Sequence, residues 1–185
     1  MKMRKLLCLV LSLVLVLSLA ACGGSSGKKD KSSKAAKTPE AIAEKYMEAA
    51  LDADFEKMLD LVHKDVINNG MEAEDMDDDD MQEMIDESSE ELEELLAELE
   101  EEDIKLSYEI VDVDALDKEM VESGKEYYED EYDVEITDAK SVMIEISIKA
   151  DGEAEYENIE IYVVKIGGSW YLDIDSVDNF SYLFW

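Results

Sequence analysis

The sequence predicts an α+β domain with its helices first and an antiparallel sheet after them. Three observations carry this. From residue 38 to residue 103, apolar residues recur at helical spacing. Beyond residue 104 the recurrence shortens to every second residue, most plainly where Val142, Ile144, Ile146 and Ile148 alternate with Met143, Glu145, Ser147 and Lys149. The later segments are separated by Asp151-Gly152 and Gly167-Gly168, dipeptides suited to two-residue turns between antiparallel strands. Helices followed by hairpins is the order of an α+β fold, not of alternating βαβ units.

Thr38-Pro39-Glu40 opens the first helix. The threonine hydroxyl can accept from a free N–H, proline suits the first helical position, and the acid lies near the positive end of the helix dipole. Ile42, Tyr46, Met47, Ala50 and Leu51 follow at helical spacing. Asp52 or Asp54 then caps a second helix carrying Phe55, Met58, Leu59 and Val62, which Asn68-Asn69-Gly70 is expected to end. Residues 72–103 hold 19 acids in 32 positions, with no lysine or arginine between Lys64 and Lys105. Met81, Ile85, Ser88, Leu92, Leu95 and Leu99 still mark one stripe. Like charges four apart destabilise a helix by ~0.2–0.5 kcal/mol each, so this one depends on packing its stripe, and its start at residues 76–80 is expected to fray. Residues 106–113 alternate poorly, as a strand covered on both faces would. Residues 114–130 read as helical or irregular, and residues 159–166 and 170–174 complete the sheet. There is no internal repeat.

Ahead of this domain, Lys2, Arg4 and Lys5 precede an apolar segment of 14 residues, 6–19. As a helix it would rise ~21 Å, short of the ~30 Å hydrocarbon core of a bilayer, so it fits a signal peptide better than a permanent span. Residues 23–37, GGSSGKKDKSSKAAK, contain no large apolar residue and read as a flexible tether with a span of roughly 20 Å. Its five lysines suit anionic lipid head groups. The organisation is therefore a leader over 1–21, a linker over 22–37 and one domain over 38–185.

Charge narrows the function. The chain carries 17 basic residues; three lie in the leader and five in the linker, leaving nine in the domain against 49 acids, a formal charge of −40. Such a field excludes nucleic acid and anionic polymers as partners and favours cations or basic surfaces; it also serves simple solubility. Of the two cysteines, Cys8 lies in the leader and Cys22 at its end, so the domain has no thiol, disulfide or cysteine ligand.

No histidine pair, Ser-His-Asp set or glycine-rich phosphate loop occurs, and no catalytic residue or cofactor site is assigned. The single histidine, His63, reads as a surface or helix-end residue. Asp75, Asp77, Asp79 and Asp86 occupy places 1, 3, 5 and 12 of an EF-hand loop, but Asp80 stands where glycine is needed and Gln82 where a β-branched residue is usual. Weak Ca²⁺ or Mg²⁺ association along residues 72–103 is the looser alternative to pure solubilisation. Asp112/Asp114 and Asp173/Asp175 each put two carboxylates on one strand face, read as solvated edges. The aromatic end, Phe180-Ser181-Tyr182-Leu183-Phe184-Trp185, either docks onto the domain or forms an exposed contact.

Two resemblances add to this. Leu19-Ala20-Ala21-Cys22 resembles the lipobox of bacterial lipoproteins, which implies diacylglycerol on the Cys22 sulfur, cleavage between Ala21 and Cys22, and anchoring at the outer face of the cell membrane. The opening TPEAIAEKYMEAALDADFEKMLDLVHKDV and the closing IEIYVVKIGGSWYLDID, with an acidic helix between, resemble nuclear transport factor 2-like (cystatin-like) domains of such lipoproteins. That resemblance implies N-terminal helices packed into a curved antiparallel sheet to make a cone. The fold hosts both binding modules and enzymes, so two functions are carried forward. One is a non-catalytic module binding a protein or small-molecule partner at the cell surface; the other is a carrier or enzyme using a cone pocket.

Overall fold

The computed structural model describes residues 35–184. The leader, the lipidation and cleavage positions Ala21 and Cys22, and most of the linker lie outside the described residues. The domain is α+β: four helices, a strand, a fifth helix, then three strands and a closing 3₁₀ segment. The four strands form one antiparallel sheet in chain order.

Helix α1 (Pro39–Leu51) starts where Thr38 accepts from Ala41 N–H at 3.3 Å, with proline at the first helical position. It buries Ile42, Ala43, Tyr46, Met47 and Ala50 and packs across all four strands. Helix α2 (Phe55–Leu59) is a short turn capped by Asp54, whose carboxylate also binds Lys57 Nζ at 2.8 Å.

The chain then departs from the expected single helix. It breaks after Leu59 and restarts as α3 (Lys64–Ala73), which runs through Asn68-Asn69-Gly70 instead of stopping there. A tertiary partner overrides the local signal: Asn69 donates its side-chain amide to the Tyr132 carbonyl, and Gly70 faces the Tyr132 ring. A methyl group on Gly70 would already meet Tyr132 Cε1 at 3.5 Å.

Helix α4 (Asp78–Glu101) is the acidic helix, and it buries Leu92 and Leu99 from the expected stripe. Met81, Ile85 and Leu95 are half-buried against the same core. Its start, where the charge density suggested fraying, carries a cap. Asp77 accepts from Asp79 and Asp80 N–H at 2.9 and 3.0 Å while Asp80 accepts from Asp77 N–H at 3.0 Å, a reciprocal cap that satisfies free donors of the first turn.

Strand β1 (Lys105–Ala115) was expected to be covered on both faces; instead one of its faces is exposed along most of its length. Its poor alternation comes from a bulge. Ile110 pairs with Ile144 and Asp112 with Met143, so Val111 is inserted without a partner and stands 48% exposed. Helix α5 (Lys118–Tyr132), capped by Asp117, resolves the stretch left open between helix and irregular chain. It packs on α3 and on strand β2 (Asp138–Ala150).

Strand β3 (Glu153–Ile166) follows through Asp151 and Gly152, at φ +54° and +86°. Gly167 and Gly168, at +59° and +88°, lead into β4 (Ser169–Leu172). Both turns need positive φ at two successive residues, which is why glycine occurs in each. The final strand ends at Leu172, two residues earlier than expected. From Ile174 to Phe184 the chain turns into 3₁₀ structure that runs beside β3. There Ser176 Oγ accepts from Tyr162 N–H at 2.8 Å and Asn179 donates to the Glu160 carbonyl at 2.7 Å. The free edge of β4 is also covered: Ala36 exchanges two backbone hydrogen bonds with Trp170, and the Leu61 carbonyl accepts from Leu172 N–H. Residue 36, placed in the linker by composition, is thus tied to the sheet. The side chains of residues 181–185 lie outside the described residues, and the two readings of the aromatic end with them.

Candidate functional site

The face of the sheet under α1 is the place where a pocket would form. Val142, Ile144, Ile146, Ile161, Val163 and Leu172 are buried there, beneath Ile42, Tyr46 and Met47. Tyr108 shares this face and senses the charges of Glu48 and Glu44 on α1. The buried Tyr46 hydroxyl is committed to the backbone: it accepts from Phe180 N–H at 2.7 Å and donates to the Val177 carbonyl at 3.2 Å. Among the described residues no buried side-chain nitrogen or oxygen lacks a hydrogen-bond partner. Tyr108 is half-buried, and among the described residues the buried part of this face offers no convergent set of uncommitted polar groups.

Polar groups converge elsewhere, where α5 meets the end of β4. Tyr128 on α5 is buried and donates its hydroxyl to Asp173 Oδ1 at 2.5 Å. Asp173 follows β4 and extends its ladder, donating its N–H to the Tyr162 carbonyl, so its side chain shares the side of Tyr171, away from α1. Tyr128 and Tyr132, four residues apart, lie on one face of α5. With Tyr127 they form three mutually edge-to-face rings, with centroids 5.4 to 6.0 Å apart and interplanar angles of 66° to 86°. The Tyr127 and Tyr132 hydroxyls lie 3.2 Å apart. Tyr127 is 42% exposed and Asp175 is exposed, so the cluster has a buried floor and an open side.

The electrostatics of this cluster are lopsided. Burial pushes the Asp173 carboxyl up to about 6, and the Asp175 charge adds to this, while the Tyr128 hydrogen bond pulls the other way. Burial and the adjoining Asp173 charge drive the Tyr128 phenol far above its ordinary value, and burial does the same to Tyr132. Both tyrosines therefore stay neutral, and Tyr128 is the donor to Asp173. No lysine or histidine among the described residues forms an ion pair with Asp173 or Asp175. Asp173 is accordingly no solvated edge residue, as its sequence position suggested; Asp175, Asp112 and Asp114 are exposed. The helical spacing of Tyr128 and Tyr132 was visible in the sequence. Their meeting with an aspartate 45 residues onward was not.

The remaining sequence candidates are structural. His63 caps the start of α3 with its Nδ1 accepting from Asp65 N–H at 3.3 Å, and its ring stands edge-on to Tyr171 at 4.8 Å. Burial lowers its pKa, consistent with a neutral imidazole whose lone pair serves the cap. The EF-hand spacing does not become a loop, because residues 78–86 are helical and Asp77 spends its carboxylate on backbone N–H groups. Among the described residues no group of three His, Cys, Asp or Glu side chains converges as metal ligands would. Nor is any helix among them long and apolar enough to cross a membrane. Compared with known proteins, the chain matches no family model, no curated protein and no solved structure.

Proposed function

We propose that this chain is a lipid-anchored extracytoplasmic lipoprotein whose acidic domain has a nuclear transport factor 2-like fold. The domain acts as a non-catalytic interaction module at the bacterial cell surface. The observation that carries the non-catalytic reading is the sheet face under α1, filled by Ile42, Tyr46, Met47, Val142, Ile144, Ile146 and Ile161. A carrier or enzyme of this architecture would need polar side chains pointing there, and Tyr46 is bound to backbone. The remaining polar chemistry is on the surface, in a domain of formal charge −40, which suits a cationic partner. The nuclear transport factor 2-like reading is supported by helices that precede an antiparallel sheet and by α1 lying across its strands. Anchoring is supported by the basic start, the 14-residue apolar run and the Leu19-Ala20-Ala21-Cys22 sequence. Two acyl chains on one residue give stable attachment, where a single shorter chain would be marginal.

Growth of the producing bacterium with labelled palmitate tests the anchor. The wild-type chain should carry label and sediment with membranes, and Cys22→Ser should lose the label and the lipid attachment. Equal labelling of both would overturn the assignment of Cys22.

A further inference from the structure

We propose that Tyr127, Tyr132, Asp173 and Asp175 form a docking point for an alkylammonium group, with Tyr128 as the floor that fixes its geometry. This rests on the interaction-module reading above and names the chemistry of its partner. Four features of the cluster point to a cation.

First, a carboxylate taken partly out of water is stabilised by a nearby cation, and among the described residues none forms an ion pair with Asp173 or Asp175. Asp173 instead has a tyrosine hydroxyl, the Asp175 backbone N–H and a second carboxylate beside it. Among the described residues the site is negative, with hydrogen bonds from Tyr128 and the Asp175 backbone but no ion pair. Second, the groups lining it are aromatic. A tyrosine ring carries negative charge density on its faces, and an ammonium group placed over such a face is attracted to it. Tyr127, Tyr128 and Tyr132 already contact one another edge to face. They therefore form a step, not a closed box, and the cation would lie on its open side, over Tyr127 and towards Asp175, whose charge reaches Tyr132.

Third, that step is held by other parts of the fold. Asn69 and Gly70 of α3 fix Tyr132 from behind, and Tyr128 is fixed by Asp173. A preorganised site loses less conformational entropy on binding than a mobile one. Fourth, the field of the domain favours the same sign of ligand over long distances. An ammonium fits these surroundings better than a bare metal ion, because the ring faces offer no oxygen ligands and among the described residues no three carboxylates converge.

The ammonium can arrive on a free small amine or on the lysine side chain of a polypeptide, and the test separates these sources. The full chain in neutral detergent would be titrated with tetramethylammonium chloride and, separately, with oligolysine, using NaCl of matched ionic strength as the control. Binding would be read by calorimetry and by tyrosine absorbance. Tyr127→Ala and Asp175→Asn should each weaken binding roughly tenfold. Tyr127→Phe, which keeps the ring, should bind like the wild type. Loss confined to tetramethylammonium identifies a free amine as the ligand, and loss confined to oligolysine identifies a polypeptide. If oligolysine binds wild type and variants alike, the cluster is not the site, although the acidic surface still engages basic chains. If neither probe saturates, the ammonium assignment fails outright. The palmitate experiment is independent of both results, so failure of the docking point and failure of the anchored-module reading are told apart.

Discussion

Replacing Asp173 by asparagine should stabilise the protein at neutral pH, contrary to the usual effect of removing a hydrogen-bonded carboxylate. Burial, aided by Asp175, raises the Asp173 carboxyl from 3.8 to about 6. The folded state therefore holds this proton more tightly than the unfolded chain does. Between pH 3.8 and about 6 the native protein binds more protons, so the contribution of Asp173 to stability falls as pH rises through that window. Above it the penalty is constant. A rise of this size corresponds to ~3 kcal/mol, and solvent on the open side of Asp173 reduces this to on the order of 1–2 kcal/mol. Asparagine is neutral at every pH and can still accept from Tyr128. Urea unfolding of wild type and Asp173→Asn from pH 4 to pH 8 isolates the effect, because the other carboxylates titrate in both proteins. The gap in stability should open in favour of the variant between pH 4 and pH 7 and then stay level. Parallel profiles, or a variant less stable than wild type at pH 8, would refute the assignment of an uncompensated half-buried charge.

Other perturbations follow from the same structure. Tyr46→Phe removes a hydroxyl that joins α1 to the 3₁₀ segment through Phe180 and Val177, and should lower stability by ~1–3 kcal/mol in urea unfolding with little change in the native circular dichroism. Gly168→Ala forces a side chain onto a residue at φ +88° and should cost about 1 kcal/mol; a neutral result would mean that the turn adjusts freely. Salt should raise the melting temperature by screening the repulsion among 49 domain acids, and CaCl₂ should do no more than NaCl at equal ionic strength. A distinctly larger Ca²⁺ shift would reveal weak divalent-cation association along the acidic helix.

The parts of this fold legible in sequence are those fixed by neighbours in the chain. Thr38-Pro39-Glu40 starts α1 through a local cap, and Asp151-Gly152 and Gly167-Gly168 turn the hairpins through their own backbone angles. The stripe from Met81 to Leu99 marks α4 because helical periodicity survives even in a run of acids. Where the reading failed, a distant residue decided the outcome. Asn68-Asn69-Gly70 stays helical because Tyr132 takes up Asn69 and packs on Gly70. The bulge at Val111 shifts the phase of β1, so its half-exposed pattern read as a strand covered on both faces. Asp173 looked solvated beside Asp175, and only the approach of α5 turned it into the acceptor for Tyr128. The tyrosine spacing on α5 was visible; the carboxylate it meets comes from the other end of the domain.

If partners engage the domain from outside, at the Tyr–Asp cluster, the face under α1 is left as core. The most direct measurement is an NMR titration of the full chain in detergent with tetramethylammonium, following tyrosine ring and isoleucine methyl signals together. The account predicts saturable shifts at Tyr127 and Tyr132, with the methyls of Ile42, Ile144, Ile146 and Ile161 unmoved. Shifts at those methyls, with the tyrosine rings unchanged, would place binding inside the sheet and contradict it.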